Sequence, residues 1–176
     1  MRFDAAQIKP MPWKNGGGTT RELAVREGAD GMIWRLSLAE IAQNGPFSAF
    51  SGLWRVHTII AGKGLRLYST DVEREAKPLI PLEFDGGLAL EAQLIDGPCR
   101  AVNVICDPRY VQVKAQVHQG DFAGQAGDLV FVIDGALHLG RDHFVAAQGC
   151  ELEAPAQGVA EGTVLHVQIK ALKEAM

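Results

Sequence analysis

The stretch IIAGKGLRL at residues 59–67 is followed by a similar stretch, VIDGALHL, at residues 132–139. With one gap allowed, the two copies align 73 residues apart, from Ile60 to Ile133. In each copy an apolar run ends near a glycine, and a short turn leads into a run that alternates apolar and polar residues. Any two β-hairpins share part of this pattern, so a chance likeness stays open as the alternative. We favour an internal repeat of two similar β units.

The repeat divides the chain into two halves of similar length. The turn-forming cluster Asp96-Gly97-Pro98 lies between the copies, and no long linker is present that would let two domains move independently. We therefore predict one β-barrel over residues 1–97 and a second over residues 98–176. The two are expected to be tightly fused, with exchange of strands between the halves allowed.

Outside the repeat, most apolar stretches also alternate with period two. Trp34, Leu36 and Leu38 share one face of a predicted strand, and the same spacing recurs at residues 111–118 and 165–170. Alternation of this kind is typical of strands. Clusters of Gly, Pro, Asn and Asp separate the runs, so the pattern predicts an all-β fold.

Composition excludes several classes of function. The 176 residues carry a formal net charge of −4, with 47% hydrophobic and 22% charged residues, which is typical of a folded soluble protein. Mild acidity argues against nucleic acid as a partner. No apolar run reaches the roughly 20 residues of a membrane helix, and the start lacks a secretory pattern, so we expect no membrane partner. Three widely spaced residues, Cys99, Cys106 and Cys150, favour reduced thiols in a cytoplasmic protein.

A search for a metal or a nucleophile finds no complete motif. The apolar strand–glycine–apolar strand unit resembles the cupin barrel, which often binds a metal through a His-x-His pair and a further His, but this chain has no His-x-His. His138 fits part of the second cupin motif, yet Ile133 and Asp142 replace its usual Pro and Asn. There is no Gly-x-Ser-x-Gly elbow and no Cys/His signature. We predict no metal and no other cofactor.

The segment PWKNGGGTTRE at residues 12–22 concentrates polar chemistry beside three glycines. It matches neither a P-loop nor Gly-x-Gly-x-x-Gly. Consecutive glycines expose backbone N–H groups that can line an anion-binding concavity. A flexible hairpin loop with solvated charges is the alternative, and composition alone leaves both open.

This segment resembles the N-terminal signature of the HutD/Ves family, P-W-K-N-G-G-G-x-T-R-E. Further agreement lies in WRLSLA at residues 34–39, GPFS at 45–48, FDG at 84–86 and DGP at 96–98. The resemblance implies a bicupin, that is, two fused cupin-like β-barrels of the RmlC-like jelly-roll type, without a metal. It also implies a cytoplasmic bacterial protein that binds a small anionic metabolite, such as urocanate or N-formylglutamate, and modulates histidine utilisation without catalysis.

The predicted ligand site combines the motif with polar residues on the neighbouring strands. Its members are Trp13, Lys14, Asn15, Gly16, Gly17, Gly18, Thr20, Arg21, Glu22, Arg35, Arg55 and Asn103. Two departures from the family pattern leave the ligand's identity open: AVNVI at residues 101–105 replaces D-F-N-x-M, and FDGG at 84–87 replaces F-x-G-D.

Arginine suits a carboxylate ligand because its guanidinium can donate two parallel hydrogen bonds. If Leu23 and Val25 face inward, strand alternation favours Arg21 over Glu22 as a pocket residue. Arg35 lines a pocket only if its strand is buried on both faces; otherwise it forms surface salt bridges.

Two other functions remain open. A metal-free cupin enzyme, an isomerase or hydrolase acting on a small acid, would use Lys14, Glu22 or His57 for proton transfer. A protein-interaction module would instead display an exposed apolar patch and have no polar pocket at the triple glycine. As a partner, a second copy of the chain in a homodimer is also left open.

Overall fold

The computed structural model describes residues 1–172, which form sixteen β-strands. They are, in chain order, β1 (Arg2–Asp4), β2 (Met11–Pro12), β3 (Gly18–Gly28), β4 (Gly31–Ile41), β5 (Gly45–Phe47), β6 (Trp54–Ala61), β7 (Leu65–Tyr68), β8 (Glu73–Ala76), β9 (Leu82–Asp85), β10 (Leu90–Leu94), β11 (Cys99–Cys106), β12 (Val111–Gly124), β13 (Leu129–Leu139), β14 (Asp142–Val145), β15 (Gln148–Glu151) and β16 (Ala156–Ala171). Helical structure within the described residues is one 3-10 turn at Ala5–Gln7, and no helix there is long and apolar enough to cross a membrane. The predicted all-β class is confirmed.

The strands form two compact units. We call Lys9–Val111 the central unit, and Met1–Ile8 together with Gln112–Ala171 the terminal unit. The units of the structure thus divide after Val111, whereas the sequence placed the division between residues 97 and 98. Strand β11 accounts for the difference, because it follows residue 98 but pairs along its length with β4 and β6. Strand β1 pairs with β15, which is an exchange of the kind that the sequence analysis allowed.

The central unit is built from two sheets. One has six strands in the order β2-β3-β4-β11-β6-β9, and the other has four in the order β5-β10-β7-β8. Their inner faces share one apolar core, to which Ile41 and Ile59 of the first sheet and Leu65, Leu67 and Leu90 of the second contribute. This burial on facing sheets is the source of the period-two pattern in the sequence.

The terminal unit is a six-stranded sheet in the order β1-β15-β13-β16-β12, with β14 added beside β13. Strand β13 pairs with β15 through its first residues and with β14 through its last. The long strand β16 follows β13 along both parts. Its core includes Phe122, Val130, Leu137, Phe144 and Val164.

The two copies of the sequence repeat share a backbone irregularity as well as a pattern. Strand β6 has an extra residue, Ile60, opposite the step from Arg100 to Ala101, and β13 has an extra residue, Ile133, at the corresponding place. Gly62 and Gly135, two residues further along, have φ angles of +91° and +70°. A Cβ on either glycine would run into the neighbouring backbone, so both the bulge and the glycine belong to the repeated unit.

Candidate functional site

A cavity of about 50 Å³ lies on the inner face of the six-stranded sheet of the central unit. It is lined by Trp13, Thr20, Arg35, Ser37, Ala39, Phe47, Ser48, Phe50, Arg55, Asn103 and Ile105. The strands place these side chains together because Ser37 pairs with Asn103, and Asn103 pairs with His57 on the next strand. The same inner face continues into the apolar core at Ile59, so the cavity is a polar extension of that core.

Arg55 is the central charged group of this cavity. Its side chain is buried, with only 5% of the residue exposed. Its Nε and Nη2 donate to Asn103 Oδ1 at 3.1 and 2.9 Å, and its Nη1 donates to the Ser48 carbonyl at 3.0 Å. Burial, together with the charge of Arg35, lowers the pKa of Arg55 to about 9. Among residues 1–172, no carboxylate forms a salt bridge with it, so the charge is hydrogen-bonded but not neutralised.

Aromatic rings surround the Arg55 guanidinium. Its Cζ lies 4.1 Å from the centroid of Phe47, 5.5 Å from that of Phe50 and 5.7 Å from that of Phe84. Ring faces attract a cation and offset part of its lost hydration. They carry no net charge, however, so an anion entering the cavity would meet an unneutralised guanidinium.

His57 shares the acceptor of Arg55 but stays neutral. Its Nδ1 lies 2.8 Å from Asn103 Oδ1. Because a carbonyl oxygen carries no proton, Nδ1 must donate, which leaves Nε2 as the bare nitrogen. That Nε2 is buried and has no hydrogen-bond partner. Burial, with a further contribution from Arg55, lowers the pKa of His57 to about 3.

Arg35 supplies a second guanidinium. Strand β4 is buried on both faces, since Trp34 and Leu36 on one face are as buried as Ser37 on the other. The sequence analysis expected Arg35 to line a pocket if its strand were buried in this way, and Arg35 does line the cavity. Its Cζ lies 5.3 Å from the Phe50 ring, and its Nε is buried without a hydrogen-bond partner. The cavity therefore holds two cationic groups and an unused N–H donor.

The β2–β3 hairpin positions the indole of Trp13. Trp13 Nε1 donates to Thr20 Oγ1 at 2.8 Å, and both residues line the cavity. Gly18 lies beneath this pair, where a Cβ would overlap the Glu40 carbonyl oxygen and touch the indole ring. Glycine at this position therefore lets the hairpin close against β4.

The remainder of the glycine loop lies away from the cavity wall. Lys14 and Asn15 are exposed. Asn15 Oδ1 accepts a hydrogen bond from the Gly17 N–H at 2.9 Å, and Gly16 adopts a φ of +71°. These contacts describe a turn that shapes the hairpin. A role for the loop residues in ligand contact stays a prediction.

Arg21 and Glu22 also lie outside the cavity lining. Arg21 pairs with Leu38, so it is on the face opposite Ser37, and its Nη1 donates to Glu40 at 3.1 Å. A bulge at Leu23 breaks the alternation that the sequence analysis assumed, and Val25 is 38% exposed. Glu22 is exposed. The structure therefore brings together Trp13, Thr20, Arg35, Arg55 and Asn103 from the predicted set.

Sequence reasoning left several lining residues out of the site. These are Ser37, Ala39, Phe47, Ser48, Phe50 and Ile105. Ser37 and Ala39 follow Arg35 at intervals of two residues, so strand alternation alone would have placed them on the same face as Arg35. Ser48 contributes its backbone carbonyl to Arg55, and side-chain chemistry in the sequence carries no signal for such a contact.

The donor set does not fit a metal ion. No group of three His, Cys, Asp or Glu side chains among the described residues is placed to hold one. The cavity instead presents two guanidinium groups, which would repel a cation.

The three cysteines are buried and unpaired with one another. Burial raises the pKa of the Cys106 thiol to about 11, with further contributions from Asp107 and Glu83. Burial also raises the pKa of Cys150. Neither Cys106 nor Cys150 therefore has the lowered pKa of a reactive thiolate.

Several known proteins resemble the chain. A protein of Pseudomonas putida described as an uncharacterized 21.2 kDa protein in the hutC 3′ region is 38% identical over 115 residues, which is 62% of this chain and 60% of that protein. The protein Ves of Escherichia fergusonii is 34% identical over 84% of this chain and 80% of its own length. The structure of HutD from Pseudomonas fluorescens SBW25 in a formate condition is 30% identical, with a TM-score of 0.86 over 98% of this chain and 99% of that one.

A more distant likeness concerns the fold alone. A cupin 2 conserved barrel domain protein from Leptotrichia buccalis is 12% identical with a TM-score of 0.60, covering 93% of this chain and 98% of that one. This confirms the predicted cupin-like jelly-roll fold, although the sheets here are open rather than closed barrels. The HutD family model matches residues 5–174. The chain therefore belongs to the HutD family.

Proposed function

We propose that the central cavity binds the carboxylate group of a small anionic metabolite, with Arg55 and Arg35 as its cationic partners. The observation that carries the proposal is the state of Arg55, which is 5% exposed and has no carboxylate partner among the described residues. Burying an unneutralised charge is costly, and an anion brought beside it recovers part of that cost. The unpartnered Nε of Arg35 offers the ligand one more donor.

The size of the cavity limits what enters it. A volume of about 50 Å³ suits one carboxylate group rather than a whole metabolite. The remainder of a larger acid would extend past Trp13 and Phe50, whose rings line the cavity. Formate, named in the condition of the Pseudomonas fluorescens HutD structure, is the smallest carboxylate and would fit. Urocanate and N-formylglutamate each carry a carboxylate that can enter in the same way.

The geometry favours binding over catalysis. His57 has a pKa near 3 and is fully buried, so it neither gains nor shuttles a proton near neutral pH. Lys14 and Glu22, the other residues considered for proton transfer, are exposed and outside the cavity lining. Membership of the HutD family supports an association with histidine utilisation. We infer a cytoplasmic modulator of that pathway that acts by sensing a metabolite.

The test is thermal unfolding with sodium formate, urocanate or N-formylglutamate at millimolar concentration, against sodium chloride of equal ionic strength. A ligand that binds the native state raises Tm. We expect the rise in the wild type and its loss in Arg35→Gln. The matched control is Arg66→Gln, which removes an exposed arginine paired with Glu73 in the same unit and should keep the full rise.

Failure of all three carboxylates to raise Tm would overturn the proposal. An equal rise in wild type and Arg35→Gln would also overturn it, because the anion would then bind elsewhere. Turnover of urocanate that disappears in Lys14→Ala would favour the metal-free enzyme instead.

A further inference from the structure

The terminal unit has a polar cluster at the places that correspond to Arg55 and Asn103. The 73-residue offset of the repeat aligns Arg55 with Asp128. Asp128 Oδ2 lies 2.7 Å from His166 Nε2, and both residues are buried. We propose that this cluster and the cavity beside it form a second binding site, for a small acidic amino acid.

The strand geometry of the two clusters is the same. Arg55 bonds diagonally to Asn103, which stands opposite His57, two residues further along β6. Asp128 bonds diagonally to His166, which stands opposite Val130, two residues further along the chain. Arg55 lies five residues before the bulge residue Ile60, and Asp128 lies five residues before the bulge residue Ile133. The fold therefore places a polar pair at the same location twice, with a cation in one unit and an acid in the other.

The cavity next to Asp128 is much larger than the central one. Its volume is about 440 Å³, and it is lined by Gln112, Lys114, Gln125, Ala126, Asp128, Gln168, Ile169 and Lys170. Alternation along β16 puts Gln168 and Lys170 on the face that carries His166 and, deeper, the core residue Val164. The cavity is thus the open end of the inner face of the terminal unit.

The side chains of His118, Phe122 and His166 form a cluster of rings next to Asp128, in edge-on and tilted contacts. The centroids of Phe122 and His166 are 4.9 Å apart, and those of His118 and His166 are 5.6 Å apart. Phe122 belongs to the apolar core, so the rings fix His166 and with it the Asp128 carboxylate. His118 Nε2 is buried without a hydrogen-bond partner, so the cluster contains a polar atom that contacts within the protein do not satisfy.

Asp128 retains capacity to accept a hydrogen bond from a ligand. Its Oδ2 accepts from His166 and, at 2.9 Å, from the Gln125 N–H. Its Oδ1 has a single long contact, 3.4 Å from the Ile169 N–H. A carboxylate oxygen has room for two acceptor bonds, so Oδ1 can receive an ammonium.

Charge complementarity selects the ligand class. The cavity wall offers two ammonium groups, from Lys114 and Lys170, one carboxylate from Asp128, and carboxamides from three glutamines. An acidic amino acid has the opposite set, two carboxylates and one ammonium. A simple anion would meet Asp128 with the wrong sign, and a neutral amino acid would leave one lysine unmatched.

The experiment is an amide NMR titration of the isotope-labelled full-length protein with L-glutamate. Glutarate, which lacks the ammonium, and glutamine, which lacks the second carboxylate, are titrated in parallel. We expect L-glutamate to shift resonances of residues 112–116, 125–128 and 166–170 along a saturating curve, and the two analogues to bind roughly tenfold or more weakly. Absence of a saturating shift in those segments, or equal affinity for all three compounds, would overturn the proposal.

Variants separate a built site from general surface attraction. The double variant Lys114→Gln/Lys170→Gln should weaken L-glutamate binding roughly tenfold or more, whereas Lys63→Gln, an exposed lysine of the central unit, should leave it unchanged. Equal weakening in both proteins would refute the site. A separate titration with formate, followed at the amide resonances of Arg55 and Asn103, reports binding in the central cavity. The two titrations therefore test the two proposed sites independently.

Discussion

Asn103→Leu is the sharpest test of how the central cavity is held together. Asn103 Oδ1 accepts from Arg55 Nε, Arg55 Nη2 and His57 Nδ1, at 3.1, 2.9 and 2.8 Å. Leucine has a similar volume but no acceptor. The substitution therefore leaves three buried donors unpaired, two of them on a cation, while it changes packing little.

The expected loss follows from those three bonds. Leaving a neutral buried donor unsatisfied costs about 1 kcal/mol, and removing the acceptor of a buried guanidinium costs roughly 3 kcal/mol. We therefore expect the free energy of unfolding to fall by about 4 kcal/mol. Saturating formate should restore part of the lost free energy of unfolding, because a bound carboxylate can accept hydrogen bonds from the same guanidinium.

The measurement is equilibrium urea unfolding at pH 7, followed by far-UV circular dichroism, with and without formate. Asn103→Asp is the companion variant, since it keeps an acceptor beside Arg55 and adds a negative charge. It should remain folded but lose affinity for formate, because its own carboxylate would neutralise the guanidinium. A loss below about 1 kcal/mol in Asn103→Leu, with an unchanged m value, would refute our account of Arg55 as a buried cation held by this amide.

Three further predictions concern neighbouring positions. The pKa of His57 is lowered from 6.5 to about 3, so between these pH values the unfolded chain binds more protons than the native protein does. The wild type should therefore lose stability as the pH falls from 6.5 to 3. His57→Phe should flatten this part of the pH profile, as measured by urea unfolding. Gly18→Ala should cost roughly 2 kcal/mol and alter the fluorescence of Trp13, because its Cβ would overlap the Glu40 carbonyl; thermal unfolding and emission spectra test both effects. Arg21→Gln removes a partly exposed ion pair, so it should cost less than about 1 kcal/mol and leave formate affinity unchanged in a thermal-shift titration.

The repeat carried most of what could be predicted of the fold. An apolar run ending in glycine is enough to indicate a hairpin, and two copies 73 residues apart predict two similar β units. The bulges at Ile60 and Ile133 were not predictable, because one extra residue in a buried apolar run leaves the pattern of residue types unchanged. The limits of the units also depend on long-range pairing, since nothing in the residues of β11 shows that they join β4 and β6.

Strand alternation and burial also explain which of the predicted site residues line the cavity. Arg35 was ambiguous because alternation gives the face of a residue but not whether that face is buried. Arg21 was assigned by assuming unbroken alternation through Leu23, where the structure has a bulge. Asn103 was easier to predict, because a polar side chain inside an apolar run needs a partner. Arg55 entered the predicted set through the family resemblance, and its burial is a finding of the structure.

The two clusters together suggest why the fold retains polar groups at these places. On the inner face of a sheet, a residue that shortly precedes the apolar core is covered by the facing structure but is still near the open end. A charge placed there is desolvated without being fully enclosed, and the adjacent strand offers one diagonal partner: Asn103 for Arg55 and His166 for Asp128. One partner satisfies hydrogen bonds, but the amide of Asn103 carries no charge and cannot cancel that of Arg55. The native protein therefore carries an electrostatic cost at Arg55 that an incoming anion reduces, and the sign of the charged groups around each cavity selects the ligand group that the cavity can hold.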